Sequence, residues 1–266
     1  MPFIKTRNLT LYLEESGPGR PVLHISGTAG DLRNRPNVLN SPLAKHRHVI
    51  AYDQRGLGQS EKPNGPYSMA QYADDAAMLL DVLGIERADV VGASFGGMVA
   101  QHLALRHPER IYKLVLCCTS PGGDLASFPF HDLPNDLGPA ERLLRLLPVS
   151  DTRMDAAWQA KNPEIVARLQ QRAKDDYISD HATADFRRGA RLQLEARKHH
   201  DTNAELHRLH MPTFICAGRY DGIARKANQE RLHSRIEGSV LKWYEGGHLF
   251  LIQDKSAWTD IIEFLG

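Results

Sequence analysis

Short apolar runs, separated by longer amphipathic segments, occupy the first and last parts of the chain. They are rich in Val, Ile and Leu, the composition of strands buried on both faces of a parallel sheet. The pattern predicts strands at residues 9–15, 22–25, 48–53, 88–91, 111–117, 213–217 and 239–244. A turn rich in Gly and Pro separates the first two strands.

Apolar residues at helical spacing lie between these strands. They predict helices at residues 69–83, 98–105, 225–236 and 256–265. Gly84 follows the first helix as a stop signal. The strand–helix alternation implies right-handed crossovers, so we predict an α/β fold with a mostly parallel central sheet of about eight strands and flanking helices.

The pattern changes in the middle of the chain, where no strand is predicted. Residues 122–138 are rich in Pro, Gly, Asp and Phe and indicate an irregular segment. Helical runs follow, with start signals at Asp151, at Asn162-Pro163 and at Asp180. We therefore predict an α/β core interrupted by a helical cap, with the core at residues 1–120 and 211–266 and the cap at residues 121–210.

Composition and charge exclude several functional classes. The 266 residues carry a net charge of +1, which provides no basis for binding nucleic acid or an anionic membrane. No apolar run reaches transmembrane length, and the first residues lack the apolar region of a signal peptide. The three cysteines form no disulfide framework. We expect a cytoplasmic protein, and its oligomeric state stays open.

A G-x-S-x-G motif joins a predicted strand to a predicted helix. Its serine is Ser94, flanked by Gly92 and Gly96. Where a strand reverses directly into a helix, the backbones approach closely and glycine is needed beside the serine. The hydroxyl then lies at a helix N-terminus, where free N–H groups favour developing negative charge. Ser94 is therefore the candidate nucleophile, because a capping role alone leaves the paired glycines unexplained.

A nucleophilic serine needs a base and an acid that orients the base. In open parallel sheets, active sites lie beyond the C-terminal ends of the strands. Asp221 follows the strand at residues 213–217, and His248 follows the strand at residues 239–244. Taken singly, Asp221 is consistent with a turn and His248 with loop packing. Together, in the order Ser, Asp, His, the three residues predict a catalytic triad.

Over nearly its full length, the chain resembles the α/β-hydrolase fold superfamily. The residues that carry the resemblance are the elbow at 92–96, the Arg-Gly turn at 53–60, the acid loop at 218–221 and the base loop at 247–248. Residues 31–33 and 114–119 are similar to small carboxylesterase and enol-lactonase-like members. The resemblance implies acyl transfer from a small-molecule substrate to water through an acyl-serine, with no cofactor and no metal ion.

The resemblance also implies an oxyanion hole made of backbone N–H groups. By position these belong to Phe95 and Thr28, with Ala29 as the alternative to Thr28. The chain departs from many members in having Ser26 before Gly27, where they carry His, and Ala93 beside the nucleophile. Neither departure removes a triad residue, and backbone donors do not depend on the identity of the side chain.

Possible substrate contacts are weaker predictions. They are Arg33, Arg55, Phe128 and Trp158. Arg55 is also expected to brace its own glycine-rich turn, and aromatic residues of a helical cap are as often core as pocket wall. Histidines near residue 200 do not predict a metal site, because adjacent histidines on a helix point in different directions.

The predicted function is a serine hydrolase that cleaves a small carboxylic ester or lactone. Hydrolysis of a carbon–carbon bond and perhydrolysis use the same triad and stay open as alternatives. A ligand-binding receptor with a vestigial, slow hydrolase activity is a third interpretation, in which the cap moves on binding. Similarity of fold does not decide between these functions.

Overall fold

The computed structural model describes residues 2–134, 136–175 and 183–266. Its centre is an eight-stranded sheet in the order β1-β2-β4-β3-β5-β6-β7-β8. The strands are β1 Phe3–Lys5, β2 Thr10–Ser16, β3 Pro21–Ile25, β4 His48–Tyr52, β5 Ala88–Ala93, β6 Ile111–Cys117, β7 Thr213–Gly218 and β8 Val240–Tyr244. β1 and β2 are antiparallel to their neighbours, whereas the pairs from β4 to β8 are parallel.

Helices connect the parallel strands. Those in the described ranges are α1 Met69–Val82, α2 Phe95–Arg106, α3 Pro139–Ser150, α4 Ala156–Lys161, α5 Pro163–Asp175, α6 Ala184–Lys198, α7 Lys226–Arg235, α8 Phe250–Gln253 and α9 Ser256–Leu265. Four of them, α3 to α6, lie in the connection between β6 and β7.

The sheet is buried on both faces. Leu79 of α1 and Leu103 of α2 pack on one face together with Leu23 of β3. Ile261 of α9 packs on the opposite face together with Val22. Successive side chains of a strand point to opposite faces, and both Val22 and Leu23 are fully buried. This double burial explains why the strands are continuous apolar runs in the sequence.

The predicted α/β class is confirmed, and every predicted strand is present. The strand at Ile111–Cys117 and the helix at Ser256–Leu265 have the predicted bounds. Strand β1 was not predicted, because its three residues are too few to show a periodic pattern.

The first helix of the β6–β7 connection differs from the prediction. Asp151 is the C-terminal cap of α3, whereas the sequence indicated a helix start there. Its carboxylate accepts hydrogen bonds from the guanidinium of Arg153 at 2.9 and 2.6 Å, so it caps no helix N-terminus. Helix α4 begins instead after Asp155, whose carboxylate accepts from the N–H of Trp158. An isolated aspartate does not reveal which side of it is helical.

The rest of the connection follows the sequence more closely. Helix α5 begins at Pro163, as predicted, whereas the start signal at Asp180 lies outside the described residues. The first residue of α6 is Ala184, and the hydroxyl of Thr183 accepts from the N–H of Phe186 at its N-terminus. The division into core and cap stays a prediction. Within the described ranges, no helix combines the length and the apolar character needed to cross a membrane.

A pair of histidines, with His200 buried and His102 partly buried, links α2 to the segment that follows α6. His200 Nε2 lies 2.9 Å from the carbonyl oxygen of Ser120, which only accepts, so this nitrogen carries the proton. His200 Nδ1 then accepts from His102 Nε2–H at 3.1 Å. Burial lowers the pKa of His200 to about 3 and that of His102 to about 4. Both imidazoles are therefore neutral in the folded protein at neutral pH.

This pair predicts a loss of stability in acid. In the unfolded chain both histidines bind protons once the pH falls below 6.5. In the folded protein His102 binds its proton only near pH 4, and His200 only near pH 3. The free energy of unfolding should therefore fall with decreasing pH across that window, by about 1.4 kcal/mol per pH unit for each excluded proton. Urea titrations from pH 7.5 to 4 measure this slope. His200→Gln should flatten the slope and exposed His199→Gln should not; equal slopes would contradict the assignment.

Candidate active site

The turn between β5 and α2 holds Ser94 in a strained backbone conformation. Its φ and ψ are 54° and −116°. A Cβ at Gly92 would lie 2.5 Å from the carbonyl oxygen of Gly96, and one at Gly96 would lie 2.0 Å from that of Ile25. Glycine is therefore required on both sides of the serine. The result is a hydroxyl fixed at the N-terminus of α2.

The structure brings Ser94, His248 and Asp221 together in one hydrogen-bonded chain. His248 Nε2 lies 3.0 Å from Ser94 Oγ, and His248 Nδ1 lies 2.8 Å from Asp221 Oδ2. The other carboxylate oxygen of Asp221 accepts from the N–H groups of Ile223 at 2.8 Å and Ala224 at 2.9 Å. Because Asp221 accepts on both oxygens, the Nδ1 of His248 is the protonated nitrogen and Nε2 is free to accept from the serine.

The end of α3, in the connection between β6 and β7, contacts the backbone of His248. The backbone N–H of His248 donates to the carbonyl oxygen of Ser150, the last residue of α3, at 2.6 Å. A Cβ at Gly247 would lie 2.1 Å from the same oxygen, so the base loop packs directly against the end of α3. The position of His248 therefore depends on a helix that the sequence analysis did not predict.

Two backbone N–H groups are available beside Ser94. Phe95 is the first residue of α2, where the N–H has no partner within the helix. The loop after β3 approaches Ser94 closely, because a Cβ at Gly27 would lie 3.4 Å from Ser94 Cβ. In that loop the N–H of Ala29 already donates to Gln193 Oε1 at 2.9 Å. Of the two predicted alternatives, only the N–H of Thr28 has no acceptor among the described residues, and its role as an oxyanion donor stays a prediction.

Two glutamines hold this loop from opposite sides. Gln54 Nε2 donates to the carbonyl oxygen of Ser26 at 2.8 Å and to its hydroxyl at 3.2 Å. Gln193, fully buried on α6, accepts from Ala29, whose φ is 58°. Neither glutamine was predicted to hold this loop. No local signal was available for Gln193, because its partner lies 164 residues away in the chain.

We expect Gln193→Leu to lower kcat more than it raises KM, because the Ala29 N–H loses its acceptor and the loop can relax. An unmatched buried donor costs about 1–3 kcal/mol, so kcat should fall about tenfold or more. Steady-state kinetics on one ester, with thermal unfolding of each variant, measures the effect. Gln171→Leu, the same substitution at an exposed position of α5, is the control and should retain kcat. Equal kcat values for Gln193→Leu and the wild type would refute this positioning role.

A cavity of about 900 Å³ opens onto Ser94 and His248. Its apolar wall includes Phe130, Leu146 and Trp258. The cavity is also lined by all the described non-glycine residues with positive φ, which are Ala29, Ser94 and Cys118. Left-handed backbone costs about 1–3 kcal/mol at a non-glycine residue and tends to occur at functional sites. The strained residues therefore lie in the same cavity as the hydrogen-bonded chain from Ser94 to Asp221.

The four predicted substrate contacts do not line this cavity, which corrects that expectation. Arg33 is paired with Asp31. The guanidinium of Arg55 donates to the carboxylate of buried Asp75 at 2.7 and 2.8 Å, so it braces the turn. Phe128 packs edge-on against Phe130, and Trp158 lies on α4. No local pattern in the sequence selects Arg142 or Trp258, which do line the cavity.

Metal ligands do not cluster in the parts of the chain that the structure describes. No group of three or more His, Cys, Asp or Glu side chains there is placed to hold a metal ion. His200 contacts His102 and Ser120, as described above.

Comparison with known proteins finds the same architecture. A family model described as alpha/beta hydrolase fold matches residues 20–255. The solved enol-lactonase of Burkholderia xenovorans superposes with a TM-score of 0.79 at 26% identity, covering 99% of each chain. The 3-oxoadipate enol-lactonase 2 of Acinetobacter baylyi is 27% identical over 245 residues, which are 92% of this chain and 88% of that protein.

A more similar but shorter match is the 2-hydroxymuconate semialdehyde hydrolase of a Pseudomonas strain. It is 43% identical over 123 residues, which are 45% of this chain and 42% of that protein. The family match, in contrast, runs from before β3 to the end of α8 and contains Ser94, Asp221 and His248. The chain therefore belongs to the α/β-hydrolase fold family and is a hydrolytic enzyme.

Proposed function

We propose that the protein hydrolyses a small carboxylic ester or lactone through an acyl-serine intermediate. The observation that carries the proposal is the chain of hydrogen bonds from Ser94 Oγ through His248 to Asp221, with distances of 3.0 and 2.8 Å. These distances are within the range needed for proton transfer between a nucleophile and its base. The similarity to two enol-lactonases over nearly the whole chain supports the same type of substrate.

In the acylation step, His248 Nε2 takes the proton of Ser94 as the oxygen attacks the carbonyl carbon. The imidazolium is stabilised by Asp221 and then protonates the leaving alkoxide as the ester bond breaks. In a lactone the leaving alkoxide stays attached to the acyl group. Water then loses a proton to His248 and attacks the acyl-serine, which releases the acid and restores the serine.

The oxyanion of each tetrahedral intermediate is proposed to bind the N–H groups of Phe95 and Thr28. Both groups are fixed before the substrate arrives, one by the start of α2 and one by the loop that Gln54 and Gln193 hold. Preorganised donors of this kind are worth about 10²–10³ in rate each. The predicted cap at residues 121–210 supplies part of the wall that excludes water, through Phe130 and Leu146.

Hydrolysis of a carbon–carbon bond in a dienoate is the second candidate. The observation that favours it is the similarity of nearly half of the chain to a 2-hydroxymuconate semialdehyde hydrolase. The same serine, histidine and aspartate would serve both reactions. No specific observation favours perhydrolysis or a receptor role.

A product assay tests these proposals directly. The purified protein is incubated with p-nitrophenyl butyrate, δ-valerolactone and a ring-cleavage dienoate, and intact-mass spectra are recorded within the first turnover. The expected result is turnover of the ester or lactone with a burst of p-nitrophenol and a butyryl adduct on the peptide that contains Ser94. Turnover of the dienoate alone would replace the first proposal with the second. No turnover of any of these substrates would contradict both.

A further inference from the structure

An arginine without an ion partner lines the cavity beside Ser94. Arg142 of α3 is partly buried and shares this cavity with Ser94 and His248. Burial lowers the pKa of its guanidinium, and no neighbouring carboxylate acts in the opposite direction. An arginine nevertheless stays protonated at neutral pH. The cavity therefore contains a fixed positive charge that the described part of the protein does not neutralise.

Three other arginines, of which Arg55 and Arg197 are buried and Arg153 is exposed, have hydrogen-bond partners. Arg55 is held by Asp75, with both side chains buried. Arg153 donates to Asp151 through two nitrogens. Arg197 donates to the carbonyl oxygen of Phe128 and to the hydroxyl of Ser127. Arg142 stands apart from them in having none of these partners.

Other charges around the cavity do not compensate Arg142. The described residues that line it include no Asp or Glu, and the other cation among them is Lys255, whose side chain is exposed near the start of α9. His24 also lines the cavity, but burial lowers its pKa to about 4, so it is neutral at neutral pH. A partly desolvated, unpaired guanidinium is unfavourable unless a ligand supplies the counter-charge.

We propose that Arg142 binds an ionised carboxylate of the substrate, so that the preferred substrates are esters or lactones with a second, anionic end. A guanidinium binds a carboxylate through two parallel N–H donors, which also orients the ligand. The apolar wall around Leu146 and Trp258 would then contact the uncharged part of the same molecule. The inference rests on the proposed function, because it assumes that the reacting carbonyl lies at Ser94.

Ligand binding without turnover tests this proposal. Calorimetry on Ser94→Ala compares monomethyl glutarate, which has one ionised carboxylate, with uncharged dimethyl glutarate. The monoester should bind about ten- to a hundredfold more tightly, as expected for a hydrogen-bonded charge pair. Adding Arg142→Gln should remove the preference, and Arg142→Lys should retain part of it. Arg145→Gln, on the exposed side of the same helix and outside the cavity lining, is the matched control and should change nothing.

Several results would overturn the assignment. They are equal affinities for the two esters, no binding of the monoester at millimolar concentration, or an unchanged preference in Arg142→Gln. If Lys255→Gln removed the preference and Arg142→Gln did not, Lys255 would be the residue that binds the carboxylate. That result would also refute the proposal. Hydrolysis of monomethyl glutarate by the enzyme with Ser94 intact is measured separately. Tight binding without hydrolysis would contradict the proposed function but not the role of Arg142.

Discussion

Replacing Ser94 with alanine should lower kcat for an ester substrate by about 10⁶-fold, the loss typical of removing such a nucleophile. The base is placed for this hydroxyl, because His248 Nε2 lies 3.0 Å from Ser94 Oγ. The variant keeps the cavity and the backbone donors, so KM should change far less than kcat. Stopped-flow and steady-state measurements with p-nitrophenyl butyrate give both values, and the burst should disappear.

Ser150→Ala is the matched control for this prediction. Ser150 also lines the cavity, and its contact with His248 is made by the backbone carbonyl, which the substitution leaves in place. Its kcat should stay within a few-fold of the wild type. If Ser94→Ala retained kcat within tenfold of the wild type, Ser94 would not be the nucleophile.

Asp221→Asn is expected to have the second largest effect, a loss of about 10⁴ in kcat. Oδ1 of residue 221 accepts from the N–H groups of Ile223 and Ala224, so an asparagine must keep its carbonyl oxygen there. Its NH₂ group then faces His248 Nδ1, which must become an acceptor. The proton of the imidazole therefore moves to Nε2, the nitrogen that faces Ser94. Once protonated, Nε2 cannot accept the serine proton.

This effect is separated from simple misfolding by two measurements. Thermal unfolding should show that Asp221→Asn is folded at the assay temperature, and the KM for p-nitrophenyl butyrate should stay within a few-fold of the wild type. Asp81→Asn, an exposed substitution of the same kind on α1, is the control and should retain full kcat. A kcat for Asp221→Asn within tenfold of the wild type would exclude Asp221 as the group that orients His248.

Local patterns in the sequence predicted the fold well. Strands such as β6 are buried on both faces, and such strands are apolar at nearly every position, so their location is written in the local sequence. The elbow is equally local: Gly92, Ser94 and Gly96 lie within five residues, and each glycine is required by a contact that a Cβ would block. Ser94, Asp221 and His248 follow β5, β7 and β8, and this order predicted that they would meet at one sheet edge. Their catalytic roles remain to be tested.

The features that the sequence missed depend on contacts between distant parts of the chain. Asp151 resembled a helix start, but Arg153 holds its carboxylate at the end of α3. Gln193 binds a loop 164 residues away, and no periodicity encodes that distance.

By itself, the sequence therefore determined the α/β sheet and the elements that carry Ser94, Asp221 and His248, because burial and backbone sterics act over a few neighbouring residues. The tertiary structure alone decided that Gln193 supports the loop of Thr28 and that Arg142, rather than Arg33 or Arg55, faces the cavity. The physical reason is pairing: a charge becomes available to a ligand only when no partner from elsewhere in the fold neutralises it, and partners are assigned by packing.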